Sequence, residues 1–267
     1  MITLEEIKMV IKNLISKEIR HLRWFMIIGL ILNAGLAVLT VTTFHYFGQI
    51  TRELPGELLE VLVEYEIARE LLLIFGDYSL YIWSQWNAKN LFQLASLSAI
   101  IIASLQFAGE INKNTMGFYL TRPVTRKDGY LGKTIAGLIL LLLVFGGGTI
   151  FFLIASLFMG YEAEWGRLLA ALLISLVWIA VFYLLACIIS TLNKEPVFAG
   201  VMTAVSGLIL SLPGLFEVSR PFSVFYQMRA VDYFVAGQPA ALSVGSGLVF
   251  VGLLFLVGLR VFEMKDF

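Results

Sequence analysis

The sequence predicts an all-α integral membrane protein: six transmembrane helices, an N-terminal interfacial amphipathic helix, and both termini in the cytoplasm. Three observations carry this. Six long apolar segments alternate with polar stretches. Hydrophobic residues make up 59% of the 267 residues against 14% charged, and mean hydropathy is +0.88, too little charge to cover a water-soluble surface. Of 19 Lys and Arg residues, 13 fall on one side of the segments. Inside lipid every backbone N–H and C=O must be paired, and the alternation of a barrel strand is absent, so the spans should be helices.

Residues Ile2 to Arg20 read as an amphipathic helix, with Ile7, Val10, Ile11 and Leu14 at i, i+3, i+4 and i+7 and Glu5, Lys8, Lys12 and Lys17 on other faces. The spans follow as Trp24–Phe47, Leu91–Gly109, Thr134–Gly160, Leu168–Leu192, Pro196–Phe216 and Pro239–Leu259. The first outer loop, 48–90, is the longest. Pro55-Gly56 breaks it and Glu57 to Phe75 then reads as a helix. Its acidic stripe, Glu53, Glu57, Glu60 and Glu64, reads first as a solvated face. In the fifth loop, Glu217 to Gln238, Pro213-Gly214 interrupts the preceding span. Two readings stay open there: a segment dipping back into the membrane from Leu212, or an ordinary surface loop.

Orientation follows the basic residues. Lys8, Lys12, Lys17, Arg20 and Arg23 precede span 1, and Lys113, Arg122, Arg126, Lys127 and Lys133 lie between spans 2 and 3. Lys194, Arg260 and Lys265 complete that side, which should be cytoplasmic. An even number of spans agrees with both ends being inside. Trp24 and Phe25, then Tyr78, Tyr81, Trp83 and Trp86, then Tyr161 and Trp165 read as aromatic anchors at the two interfaces. The one cysteine, Cys187, permits no intrachain disulfide and reads as a packing residue. The first 23 residues are too polar for a cleavable signal peptide. A net charge of zero gives nucleic acid no electrostatic purchase.

No span carries Asp, Glu, Lys or Arg in its interior, where ion-coupled carriers commonly place them. Asn33 and Gln106 are the main polar side chains within the spans. They read as helix–helix hydrogen bonds, with a place on a translocation path as the alternative. His21 and His45 sit at opposite interfaces and cannot assemble a zinc site, and no catalytic motif appears. Lys127-Asp-Gly-Tyr-Leu-Gly-Lys-Thr134 ends like a phosphate-binding loop, but Lys127 stands where that motif needs glycine and no strand precedes it. Lys133 reads instead as a lysine snorkelling to the interface at the start of span 3. No cofactor is expected in this chain.

The segment Glu110 to Lys133 is the informative loop. Its 24 residues exceed the roughly 2–8 usual between packed helices. Met116, Phe118, Tyr119 and Leu120 form an apolar cluster suited to a short surface helix, Arg122-Pro123 ends it, and Thr125 is placed to cap a second short helix leading into span 3.

This loop resembles that of the permease subunits of type-2 ABC exporters. The matching positions are Glu110, then Thr115-Met116-Gly117 where the family has a Gly-Thr-like pair, Leu120, Pro123-Val124-Thr125-Arg126 and Gly132-Lys133. Lys17-Glu18-Ile19-Arg20 resembles the family's approach to its first span. The resemblance implies a permease that performs no covalent chemistry. It would pair with a second permease, as homo- or heterodimer, in the plasma membrane, and dock on two copies of a separate ABC ATPase that holds ATP and Mg. It further implies that Met116, Phe118 and Tyr119 fill a groove on that ATPase, that Arg122 and Arg126 make polar contacts to it, and that Glu110 holds the loop against a neighbouring helix end. A second reading is an ATPase-coupled anchor that transmits force to an outer partner without moving solute.

Overall fold

A backbone that crosses hydrocarbon must close its own hydrogen bonds, and among the described residues every regular element is helical. The computed structural model describes residues 4–53, 64–115 and 125–266. Six helices are long and apolar enough to span a membrane: Arg23–Gln49, Tyr78–Asn112, Arg126–Phe158, Trp165–Leu192, Pro196–Leu215 and Ala240–Met264, here spans 1 to 6. The chain is a multi-pass membrane protein. Spans 2 and 4 are the most enclosed, whereas spans 1, 5 and 6 present much of their leucine, valine and isoleucine surface outward, as lipid-facing helices do.

Two expected boundaries move. Span 2 starts at Tyr78, not Leu91, because Asp77 caps it by accepting from the backbone N–H of Ser79 (2.8 Å) and Leu80 (3.2 Å). The polar run that suggested a break is absorbed by a π-helical turn, Trp86–Leu91. Asn90 donates to the Gln85 carbonyl at 2.7 Å, and Asn87 turns inward to Ser175 Oγ at 3.4 Å. The aromatics before Leu91 are therefore not headgroup anchors. Tyr81 and Trp86 are buried in protein; the Tyr81 hydroxyl donates to the Thr40 carbonyl (2.9 Å) and the Trp86 indole N–H to Thr149 Oγ1 (2.8 Å).

Span 3 starts at Arg126, not Thr134. Thr125 caps it with a reciprocal capping box closed by Asp128. No separate short helix intervenes, and residues 126–133 form the first turns of the span. The acidic positions Glu57 and Glu60 lie outside the described residues. The part of the first outer loop that follows them is helical over Glu66–Gly76.

In the fifth loop the structure takes the re-entrant form. After turns at Leu212–Leu215 and Glu217–Phe222, short helices Val224–Met228 and Val231–Phe234 return into the bundle. Phe225 packs against Phe92 of span 2 (centroids 6.1 Å apart) and Phe182 of span 4 (5.4 Å). Phe182 lies about 25 Å along span 4 from Trp165, by the helical rise. Ala230, in the left-handed region at φ 54°, turns the chain back. Phe234 then stacks on Trp83 at 4.9 Å, with the Arg167 guanidinium 4.4 Å from its centre.

Small residues let the spans close. A Cβ on Gly148 would lie 2.8 Å from the buried Trp86 ring and 3.1 Å from Asn33 Cγ, whereas one on Gly146 would meet nothing within 4 Å. Gly148→Ala should lower the thermal unfolding temperature in detergent, overpacking costing about 1–3 kcal/mol. Gly146→Ala should leave it unchanged or raise it, alanine being favoured in a helix by up to ~1 kcal/mol. Equal losses in the two variants would contradict this seat for Trp86.

Candidate functional site

Glycine at position 132 determines what can reach the first turns of span 3. A Cβ there would sit 3.0 Å from Leu14 Cβ, so the N-terminal helix, Leu4–His21, lies directly on this face. That approach brings Glu18, one turn beyond Leu14, over Lys133. The Lys133 ammonium is 3.0 Å from Glu18 Oε1 and 2.8 Å from Oε2 of Glu110, which comes from the end of span 2. Lys133 and Glu18 side chains are 0% and 1% exposed. Lys133 thus does not snorkel: the helix laid over it supplies the carboxylate that open interface would have replaced with water.

The cluster continues in two directions. Lys17 reaches Glu110 Oε1 at 3.5 Å and Glu18 Oε1 at 3.7 Å, so two acids face two bases and the formal charges balance. Toward the core, Gln106 Nε2 makes a long contact of 3.5 Å with Glu18 Oε2, and the Tyr183 hydroxyl of span 4 donates to Gln106 Oε1 at 2.8 Å. The N-terminal helix and spans 2, 3 and 4 thereby meet at one polar node. A buried ion pair adds little net stability over a well-packed apolar substitute, because desolvation offsets the attraction. Its effect is to hold one arrangement.

That arrangement brackets the loop singled out from the sequence. On the near side Glu110 is anchored in the node. Thr115 Oγ1 donates to the Glu110 carbonyl at 3.1 Å, and Asn114, in the left-handed region at φ 54°, turns the chain out of span 2. On the far side Thr125 caps span 3, and Arg126 donates to the carbonyls of Glu263 and Lys265, each at 2.7 Å. Arg126 is therefore turned to the chain's own C-terminal end. Lys127 lies 3.8 Å from Glu263 on an exposed surface, a pair of small energetic weight. Met116, Gly117, Phe118, Tyr119, Arg122 and Pro123 lie outside the described residues.

The other polar positions are engaged within the protein. Asn33 Nδ2 donates to the Val144 carbonyl at 3.0 Å, joining spans 1 and 3, and Gln106 belongs to the node. Cys187 is a buried free thiol within span 4. Lys127 to Thr134 is continuous helix, with Lys133 held by carboxylates, so it presents no phosphate cradle.

Glu18 and Lys133 were not foreseen as partners, since they stand far apart in sequence. One signal was present. Ile7, Ile11, Leu14 and Glu18 fall at i, i+4, i+7 and i+11, so an acid occupies the apolar stripe of the N-terminal helix.

The family model described as ABC-2 family transporter protein matches residues 13–227, a span that takes in all six residues of the node. No curated protein matches the chain.

Lys133→Met leaves the buried Glu18 and the partly exposed Glu110 to share Lys17 alone and should cost about 3–5 kcal/mol. Lys133→Met combined with Glu18→Gln, which leaves Glu110 to Lys17, should recover most of the loss. Thermal unfolding of the purified variants in detergent measures both. A double variant no more stable than the single one would show that the two groups are not coupled.

Proposed function

The chain belongs to the ABC-2 transporter family, and on that premise we propose that it is the transmembrane permease subunit of an ATP-driven exporter. The supporting observation is the bracketed loop between spans 2 and 3, held at Glu110 by the buried node and at Arg126 by the C-terminal carbonyls. In this reading ATP and Mg are bound by a separate ABC ATPase, two copies per complex, and a second permease, identical or not, completes the membrane part. The end of the bundle that carries both chain ends faces the cytoplasm, and the membrane is the plasma membrane.

The physical logic is mechanical. A loop whose two ends were free would absorb a push by bending. This one is joined to a node where an N-terminal helix and three spans share charged and hydrogen-bonding groups, so a displacement by the ATPase is passed to several helices together. The ATPase can shift the permease between states only by the difference in its binding to them. Met116, Phe118 and Tyr119 supply the apolar contact and Arg122 a polar one. Arg126 serves as the hinge post on the permease itself.

The test is purification of the tagged chain from its native membrane in mild detergent, with mass identification of co-purifying proteins, for wild type and Phe118→Ala/Tyr119→Ala. A soluble ATPase retained by wild type and lost, by at least about tenfold, from an equally abundant and monodisperse variant is the expected result. Absence of any ATPase from wild type, or equal recovery with both, would overturn the assignment.

A further inference from the structure

On another face of span 4 from the charged node, a cavity of about 550 Å³ lies between spans 4 and 6 beneath the re-entrant segment. Its volume is in the range of small-molecule sites. Its shape is the more telling property. The lining runs from Ile174 to Leu185 on span 4 and from Leu242 to Leu254 on span 6, about 16 and 18 Å by the helical rise. Half of a typical hydrocarbon core is about 15 Å. The cavity is therefore about as long as one leaflet is thick and lies along the spans.

Its two ends differ in chemistry. Phe182, Leu185 and Leu254 line the deep end. Asp232, Gln227 and Gln238 gather at the other, and no lysine or arginine is in the lining. The polar rim is fixed in place: the Trp178 indole N–H donates to Ser243 Oγ (3.0 Å), which donates to Gln227 Oε1 (2.6 Å), and Gln227 Nε2 donates to the Pro221 carbonyl (2.9 Å). Asp232 Oδ1 accepts from the Tyr226 hydroxyl at 2.6 Å. Burial, then that bond, pushes the Tyr226 phenol up to about 12, so it stays a donor to the carboxylate. Arg220, whose charge also reaches Tyr226, lies outside the lining in a weak exposed pair with Glu217 at 3.9 Å.

We propose that this cavity binds a cationic amphiphile, its hydrocarbon tail along spans 4 and 6 and its head at the Asp232 carboxylate. The tail is chosen by length and apolar walls. The head is chosen by a carboxylate with no base in the lining, which attracts a cation and repels an anion. The site belongs to this chain alone and does not depend on an ATPase partner.

The test uses the full chain in nanodiscs of zwitterionic lipid and reads quenching of Trp178 by bromine on the tail. The Trp178 signal is the difference between wild type and Trp178→Phe. Two probes share one brominated chain, a trimethylammonium and a carboxylate. The expected result is saturable quenching of Trp178, with the ammonium binding about tenfold tighter than the carboxylate. Asp232→Asn, which keeps an acceptor for Tyr226, should remove that preference. Ser246→Phe, which places a ring in the cavity from an exposed residue of its lining, should weaken both probes. Quenching that rises without saturation, as from lipid around the protein, would overturn the proposal. So would equal affinity for the two heads, or a preference unchanged in Asp232→Asn.

Discussion

The ammonium of Lys133, shared by Glu18 and Glu110 and sealed from solvent, is the interaction on which the rest of this end of the molecule depends. Remove its surroundings one at a time and the dependence is visible. With a side chain at 132, Leu14 would have to give by about a few tenths of an ångström, loosening the seat that brings Glu18 to Lys133. Without Glu18, Gln106 would lose one partner and the link from Tyr183 to the N-terminal helix would end. Without Glu110, the exit of span 2 would not be pinned to the entry of span 3. Charges are costly to bury singly, and the sealed pair Lys133 and Glu18, flanked by the partly exposed Glu110 and Lys17, tolerates burial only in the geometry that pairs them. The cluster is therefore a constraint on shape more than a source of stability.

Elsewhere the spans are held by a few hydrogen bonds and by close packing. With lipid on the outside, apolar burial does not favour one helix neighbour over another, so polar pairs and small residues choose the contacts. Trp86 to Thr149, Tyr81 to the Thr40 carbonyl, Asn33 to the Val144 carbonyl and Tyr78 to Ser156 Oγ (2.5 Å) each join two different spans. Gly148 lets the Trp86 ring lie against span 3, and Gly137 leaves room for Tyr183. The polar residues of the spans, sparse as they are, are largely used in assembling the bundle.

The number of spans was legible because hydropathy responds to what lipid demands, and lipid is the dominant solvent. Their starts were less so. Span 2 carries Asn87, Lys89 and Asn90 within it, and a hydropathy profile stops there, whereas the helix continues through a π turn that buries Asn87. Span 3 begins before its apolar run because Thr125 and Asp128 cap it, a local signal that was placed at the right residue and assigned to too short a helix. Lys133 departs from the sequence pattern for a different reason. A lysine at the edge of an apolar run normally snorkels, and only tertiary packing of the N-terminal helix converts it to a buried ion. The acid in the apolar stripe of that helix was the trace left in the sequence. The re-entrant segment was legible as a possibility from Pro213-Gly214, but its depth rests on Phe225 meeting Phe92 and Phe182, which no local pattern encodes.

Span 4 connects the charged node with the cavity. Tyr183 contributes its hydroxyl to the charged node, while its sequence neighbour Phe182, on another face of the helix, lines the cavity and supports Phe225 of the re-entrant segment. A helix this enclosed cannot shift on one face alone, because interiors are close-packed. Any rotation or translation that alters how Tyr183 meets Gln106 therefore carries Phe182 with it and changes the width of the cavity's deep end. The converse holds with equal force, since coupling between two sites is reciprocal. A ligand that wedges Phe182 and a load on the loop beyond Glu110 would therefore act on the same helix.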